Sequence, residues 1–208
     1  MHAATSKLAL VTATLLAWVP AIGSAAGWRN AESPHHLITP LGEYVLAGGG
    51  VNDFAKSEVK DNFDLGGTWN LRLGIGSRSF IGAEVAYVGA MRSAKVSNND
   101  LTSHGAEGVL RLQYPYVMGT WLVEPFAFGG IGWSHLSIDN VPPGVKDTSD
   151  IGVIPFGAGV MLGYGRLLLD ARFSYNATFN DEDLVLSSTG KGGDLQNWAV
   201  IGSLGYEF

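Results

Sequence analysis

Several residue groups in this sequence have types and spacings that bear on chemistry. His135 and Ser137 lie two apart in "SHLSID". In an extended strand such positions share a face, so the imidazole could reach the hydroxyl and activate it as a nucleophile. The plainer alternative is two polar residues where a strand leaves an apolar environment. Seven charged residues, Arg72, Glu84, Glu107, Arg111, Glu124, Asp170 and Arg172, interrupt otherwise apolar or small stretches. Their types allow ion pairing, and in a confined space pairing would be obligatory, because an unpaired buried charge is very costly. His35-His36 and Asp181-Glu182-Asp183 are the remaining metal-capable clusters. Both read as solvated segments, and neither a metal site nor a cofactor is expected. The glycine clusters at 48–50, 74–76 and 157–163 do not open a helix after a strand, so they are not phosphate loops. They suit a curved sheet instead. Asn176-Ala177-Thr178 matches a glycosylation acceptor only by coincidence of composition.

The elements that must position these residues have a period of two. Segments 43–51, 67–76, 80–91, 104–116, 121–136, 151–164, 166–178 and 195–208 alternate apolar with polar or small residues. In "TWNLRLGIG" the apolar set is Trp69, Leu71, Leu73 and Ile75, which puts Arg72 on the opposite face. Glu84 opposes Ile81, Val85 and Tyr87; Arg111 opposes Leu110 and Leu112; Asp170 and Arg172 oppose Leu167, Leu169 and Phe173. Glu124 shares its parity with Phe126 and Phe128, so its direction is open. Eight strands of this length suit an antiparallel sheet crossing a bilayer at a tilt.

The connections strengthen that reading. The first, third, fifth and seventh are long and rich in Asp, Asn, Ser and Gly, while the second, fourth and sixth are tight turns such as "GSRS" and "YGR". Strict alternation of long and short is what a barrel with rims in two compartments shows, long loops outside and short turns in the periplasm. A soluble barrel would turn the apolar face inward. The polar face here carries few charges for a water-washed surface, and aromatics gather near strand ends, as at the two interfaces of a membrane.

Composition bounds the rest. The chain has 208 residues, a formal net charge of −6, twenty-nine glycines and no cysteine. An acidic chain without basic clusters argues against nucleic acid as a partner. Residues 1–26 have a lone Lys7, an uncharged apolar run and a small-residue end, the layout of a cleaved signal peptide. The expected organisation is that leader, a short periplasmic segment at 27–42 and a barrel over 43–208, with both ends periplasmic.

The last residues carry the most specific resemblance. Trp198, Val200, Leu204, Tyr206 and the terminal Phe208 stand at alternating positions, with Gly202 a weak member. Together with the signal peptide and the strand "VEPFAFGGIGW", this resembles the small outer-membrane barrels of Gram-negative bacteria, the OmpA/OmpX-like family. The resemblance implies an eight-stranded antiparallel up-and-down transmembrane β-barrel in the cell outer membrane. Its partners would be outer-membrane lipid and lipopolysaccharide. The barrel-insertion machinery would recognise the terminal segment by strand addition. It implies no enzyme, no cofactor and a monomeric envelope protein whose outer loops interact with the surroundings, the alternative being a small passive channel. Larger members add a peptidoglycan-binding domain; nothing here resembles one, so wall anchoring is not expected. The His135–Ser137 pair resembles that of the lipid A deacylases. That family places the pair near its C-terminus with a carboxylate beyond, and "IDNVPPG" departs from its pattern, so no catalytic residue is assigned.

Overall fold

The structure, a computed structural model, describes residues 42–55, 64–93, 100–139, 148–179 and 195–208. The leader at 1–26, nearly all of the 27–42 segment, His35, His36 and Asp181–Asp183 lie outside the described residues.

The described residues form β1 (Gly42–Phe54), β2 (Gly66–Ser77), β3 (Ile81–Ser93), β4 (Asp100–Gln113), β5 (Tyr116–Met118), β6 (Trp121–Ile138), β7 (Thr148–Tyr164), β8 (Leu167–Phe179) and β9 (Asn197–Glu207). All pairings are antiparallel, each main strand bonds its chain neighbours, and β1 pairs with β9 from Tyr44↔Glu207 to Phe54↔Asn197. That last ladder closes the sheet into an eight-stranded barrel. β5 is the short continuation of β4. Pro115 cannot donate to a ladder, so the strand breaks at Tyr114-Pro115 instead of running unbroken to 116. The Tyr114 N–H still bonds the Pro125 carbonyl at 3.0 Å, which keeps the arm attached. Opposite Pro155 the β6–β7 ladder also skips, passing from Gly129↔Phe156 to Gly132↔Val153 without a change of register.

At the end bearing the long connections, the strands run beyond their sequence-expected limits, to Phe54, Asp100, Ile138 and Thr148. There the outward residues turn polar (Thr102, His104, Ser137), which removes the alternation that marks a strand in the sequence.

The apolar set faces out. Leu204 is 70 % exposed, Leu110 and Leu112 67 %, and Ile81 63 %, and Leu71, Leu73, Val85, Ile131 and Leu167 join them in one belt. Two aromatic tiers bound it. At the turn end Phe80–Tyr114, Trp121–Tyr164 and Tyr206–Phe208 pack ring to ring, and towards the loop end Trp69–Tyr87, Phe156–Tyr175 and Phe173–Trp198 do the same. A belt this apolar is untenable in water and suits hydrocarbon, where closing the sheet leaves no backbone edge unpaired. None of the described residues forms a helix long and apolar enough to cross a membrane.

Candidate functional site

The site built by the opposite parity is the bore. An eight-strand barrel is just wide enough for side chains to fill. Tyr44, Leu46, Val109, Leu122, Phe126, Phe128, Met161 and Leu168 form one internal apolar cluster. Phe54, Leu101, Leu136, Ile151 and Leu195 form a second at the loop end. Phe126 and Phe128 are therefore inside, and Glu124 is inside with them.

All seven charged residues sit in the bore, Glu124 among them, whose parity had left its direction open. Glu84 is the hub. Its Oε1 accepts from Arg111 Nη1 at 2.7 Å and from the Tyr44 hydroxyl at 2.8 Å, and its Oε2 accepts from Arg172 Nη1 at 2.9 Å. Arg72 Nη1 lies 3.7 Å from the same carboxylate and 3.2 Å from Glu107 Oε1. Arg172 also grips Asp170 with two parallel bonds, Nε to Oδ1 at 2.7 Å and Nη2 to Oδ2 at 2.8 Å. Such a fork match is the strongest geometry open to a guanidinium. Arg111 Nη2 reaches Glu124 Oε1 at 3.3 Å. Aromatic faces complete the cage: the Arg111 guanidinium lies 3.9 Å from the Phe126 ring centre, and that of Arg172 lies 5.0 Å away.

Residues that the alternation did not single out extend this network. Tyr44 links Arg111 to Glu84, and Asn70 accepts from Arg72 Nε at 3.1 Å. At the turn-end mouth Arg78 lies across the opening. Its Nη2 is 2.8 Å from Glu207 Oε2, its backbone N–H donates to Glu124 Oε2 at 2.9 Å, and Ser77 Oγ donates to Glu207 Oε1 at 2.7 Å. Arg78 holds φ at 67°, the left-handed region a non-glycine residue enters only when its contacts hold it there. The sequence offers no sign of this, since Arg78 stands in a turn where periodicity carries no information. A chain of hydrogen bonds thus runs from Glu207 through Arg78, Glu124 and Arg111 to Glu84, and the 3.7 Å ion pair of Glu84 with Arg72 extends it to Glu107.

Beyond Arg72 and Glu107 lies a cavity of about 80 Å³. Polar groups including Asn52, Ser103, Ser134 and Asn176 line it, and it has room for several waters. The loop-end apolar cluster stands past it.

The other sequence-marked residues lie on the outer surface. On β9, Val200, Leu204, Tyr206 and Phe208 are exposed with the lipid-side parity, and Trp198 stacks on Phe173 there. The Phe208 N–H bonds the Glu43 carbonyl at 2.9 Å, which carries the pairing to the last residue. His135 Nδ1 is 2.8 Å from Asp150 Oδ1, and the His104 ring packs against His135 at 5.3 Å. Among the described residues the Ser137 hydroxyl has no hydrogen bond to His135, so the relay a nucleophile needs is incomplete. Also among them, no group of three potential ligands is placed to hold a metal ion.

No family model and no curated protein matches this sequence. Solved structures do resemble the fold. Neisserial surface protein A (NspA) superposes with a TM-score of 0.53 at 17 % identity, over 80 % of this chain and 97 % of that one. The attachment invasion locus protein Ail of Yersinia pestis, solved with the heparin analogue sucrose octasulfate, gives 0.50 at 13 % identity, over 80 % and 99 %. At such identities the likeness speaks to architecture alone: the chain shares with these proteins the fold of a small, closed, eight-stranded antiparallel β-barrel.

Proposed function

We propose that this chain is an integral barrel of a Gram-negative outer membrane, exported by its leader, non-enzymatic, with its long loops meeting the environment and its bore closed by ion pairs. The paired charge column carries the reading. Arg72, Arg111 and Arg172 are each within salt-bridge distance of a carboxylate, aromatic rings wall the column, and an apolar cluster lines the far end of the inner cavity. A filled bore leaves the loops as the natural place for specificity.

The test is electrical. Purified barrel in planar bilayers should give no steady conductance step above the lipid baseline. Reproducible openings in the intact chain would favour the channel reading instead. A lipid A esterase is disfavoured by the missing Ser137–His135 bond. Incubation with lipid A should leave the lipid mass unchanged, and a mass loss abolished by Ser137→Ala would reverse that.

The terminal segment is proposed as the address read during assembly. Its outward aromatic row offers side chains, and its backbone offers a strand edge before closure. Deleting Phe208 should leave export intact while lowering the amount of heat-modifiable barrel several-fold. An undiminished yield of folded barrel would remove the address role.

A further inference from the structure

One more charge points into the bore from β3, past the ion column. Arg92 is 5 % exposed and has the inward parity of Glu84 and Ala86. Its side chain crosses the inner wall towards β1. There Nε donates to Asn52 Oδ1 at 3.1 Å, and the guanidinium lies 4.1 Å from the Phe54 ring centre. Gly66, opposite Asn52 on β2, leaves that path open, since a Cβ there would lie 2.4 Å from Arg92 Cγ. Among the described residues no carboxylate stands within salt-bridge distance of Arg92, and its two terminal nitrogens have no hydrogen-bond partner. Asp53, the acid whose charge reaches it, has the outward parity of β1 and stands farther off. Arg72, Arg111 and Arg172 differ in this, for each has a carboxylate in contact.

We infer that the cavity bordered by Arg92 and Arg72 is a binding site for a small carboxylate anion, with Arg92 as its counter-charge. An arginine buried this deeply is very costly unless an opposite charge meets it. Among the described residues Glu107 is the carboxylate on the cavity wall, and Arg72 takes it at 3.2 Å, which leaves one positive charge over. The uncharged polar groups there lack acceptors. Among the described residues the hydroxyls of Ser103 and Ser134 and the amide nitrogen of Asn52 have no hydrogen-bond partner, and all three residues line the cavity. A guanidinium edge beside hydroxyls and an amide N–H matches the two acceptor oxygens of a carboxylate. Val88, Ala90 and Ile151 make other parts of the wall apolar, which suits a short aliphatic tail and disfavours a doubly charged anion. The volume of about 80 Å³ is several times the roughly 10–15 Å³ that one water requires, enough for a molecule of a few heavy atoms such as acetate. The inference goes beyond the closed bore proposed above and does not depend on which membrane holds the barrel. The site lies on the loop side of the ion column, so binding requires no passage through it.

The experiment refolds the chain from urea into uncharged maltoside micelles free of carboxylate buffer. Acetate is then exchanged for chloride at constant ionic strength. The urea midpoint of wild type should rise with acetate along a one-site curve, because a ligand held only by the folded state stabilises it. Isotope-labelled acetate should bind saturably over the same range, and the Arg92 Nε–H resonance should shift with it. Arg92→Leu removes the buried charge and should stay folded while binding acetate about tenfold more weakly or worse, the scale of a lost hydrogen bond to a charged group. Ser103→Ala/Ser134→Ala keeps the charge and should weaken binding about threefold, the scale of a neutral hydrogen bond. Heat-modifiability reports whether each variant is folded, and the serine variant decides the matter if Arg92→Leu does not fold. A wild-type response without saturation, an equal response to chloride, or equal binding by wild type and the folded variants would overturn the site and leave the cavity to water.

Discussion

Glu84→Ala should destabilise the barrel more than any other single replacement in the bore, by about 3–5 kcal/mol, the cost of breaking a buried pair from one side. Glu84 is 2 % exposed and, among the described residues, is the carboxylate within reach of each of Arg72, Arg111 and Arg172. Without it Arg172 keeps Asp170, Arg72 keeps Glu107, and Arg111 is left with Glu124 at 3.3 Å and the Tyr44 hydroxyl, which loses its own acceptor. Three positive charges would then stand close together with fewer negative ones between them, inside walls of Phe126 and Phe128 that cannot screen them. Glu84→Gln should cost less, since the amide keeps one oxygen acceptor and the side-chain volume. Glu107→Ala should cost least, because that carboxylate borders the polar cavity and water can take its place beside Arg72. Urea unfolding of the refolded barrel in micelles, followed by its heat-modifiable mobility, ranks the three. A change below about 1 kcal/mol for Glu84→Ala, the value of an exposed pair, would mean that water already reaches the column. In bilayers the same variant should be the first to show transient conductance.

The barrel was legible in the sequence because lipid imposes one rule on every strand. Leu71, Leu73 and Ile75 had to share a face, and Arg72 had to take the other. The alternating segments numbered the strands, and the parity of loops against turns gave the barrel its two rims. Partner choice in the bore was not legible in the same way. Arg172 and Asp170 are two apart on one strand, so their approach could be read from spacing. Glu84 meets Arg172 and Arg111 from different strands, and that meeting depends on strand stagger, which alternation does not encode. Glu124 was ambiguous for a definite reason: Phe126 and Phe128 share its face, and aromatics in a small barrel fill the bore as readily as they meet lipid. Arg78 was invisible because a turn lies outside any periodic pattern; Glu207, between Tyr206 and Phe208, has the inward parity of the last strand, but its pairing with Arg78 could not be read from that. The polar row of Thr102 and Ser137 shortened the expected strands, which stopped at His104 and Leu136, although the backbone there continues its ladder.

Glycines at the closing seam should separate two outcomes that composition alone would treat alike. Gly50→Val should prevent closure of the barrel, while Gly202→Ala on the facing strand should be tolerated. Both sit in the β1–β9 ladder, Gly50 opposite Ile201 and Gly202 opposite Gly49. A Cβ at Gly50 would point inward and lie 1.9 Å from the Val200 carbonyl oxygen and 2.8 Å from the Ile201 Cα, and these are backbone atoms of the partner strand. No rotamer relieves that contact. Either β1 moves off β9 or the curvature of the wall relaxes. A Cβ at Gly202 points outward and meets nothing within 4 Å. Overpacking in a soluble core typically costs about 1–3 kcal/mol, because neighbouring side chains can yield. Here the yielding element would be the seam itself, and separating it exposes two rows of peptide groups to hydrocarbon at several kcal/mol for each unsatisfied group. The two variants, refolded side by side, should therefore differ in kind. Gly202→Ala should give the compact unheated band at wild-type yield, and Gly50→Val should stay in the unfolded position with its strands open to protease. If Gly50→Val closes normally, the β1 backbone approaches β9 less tightly than the ladder indicates, and the curvature assigned to Gly48–Gly50 must come from elsewhere in the wall.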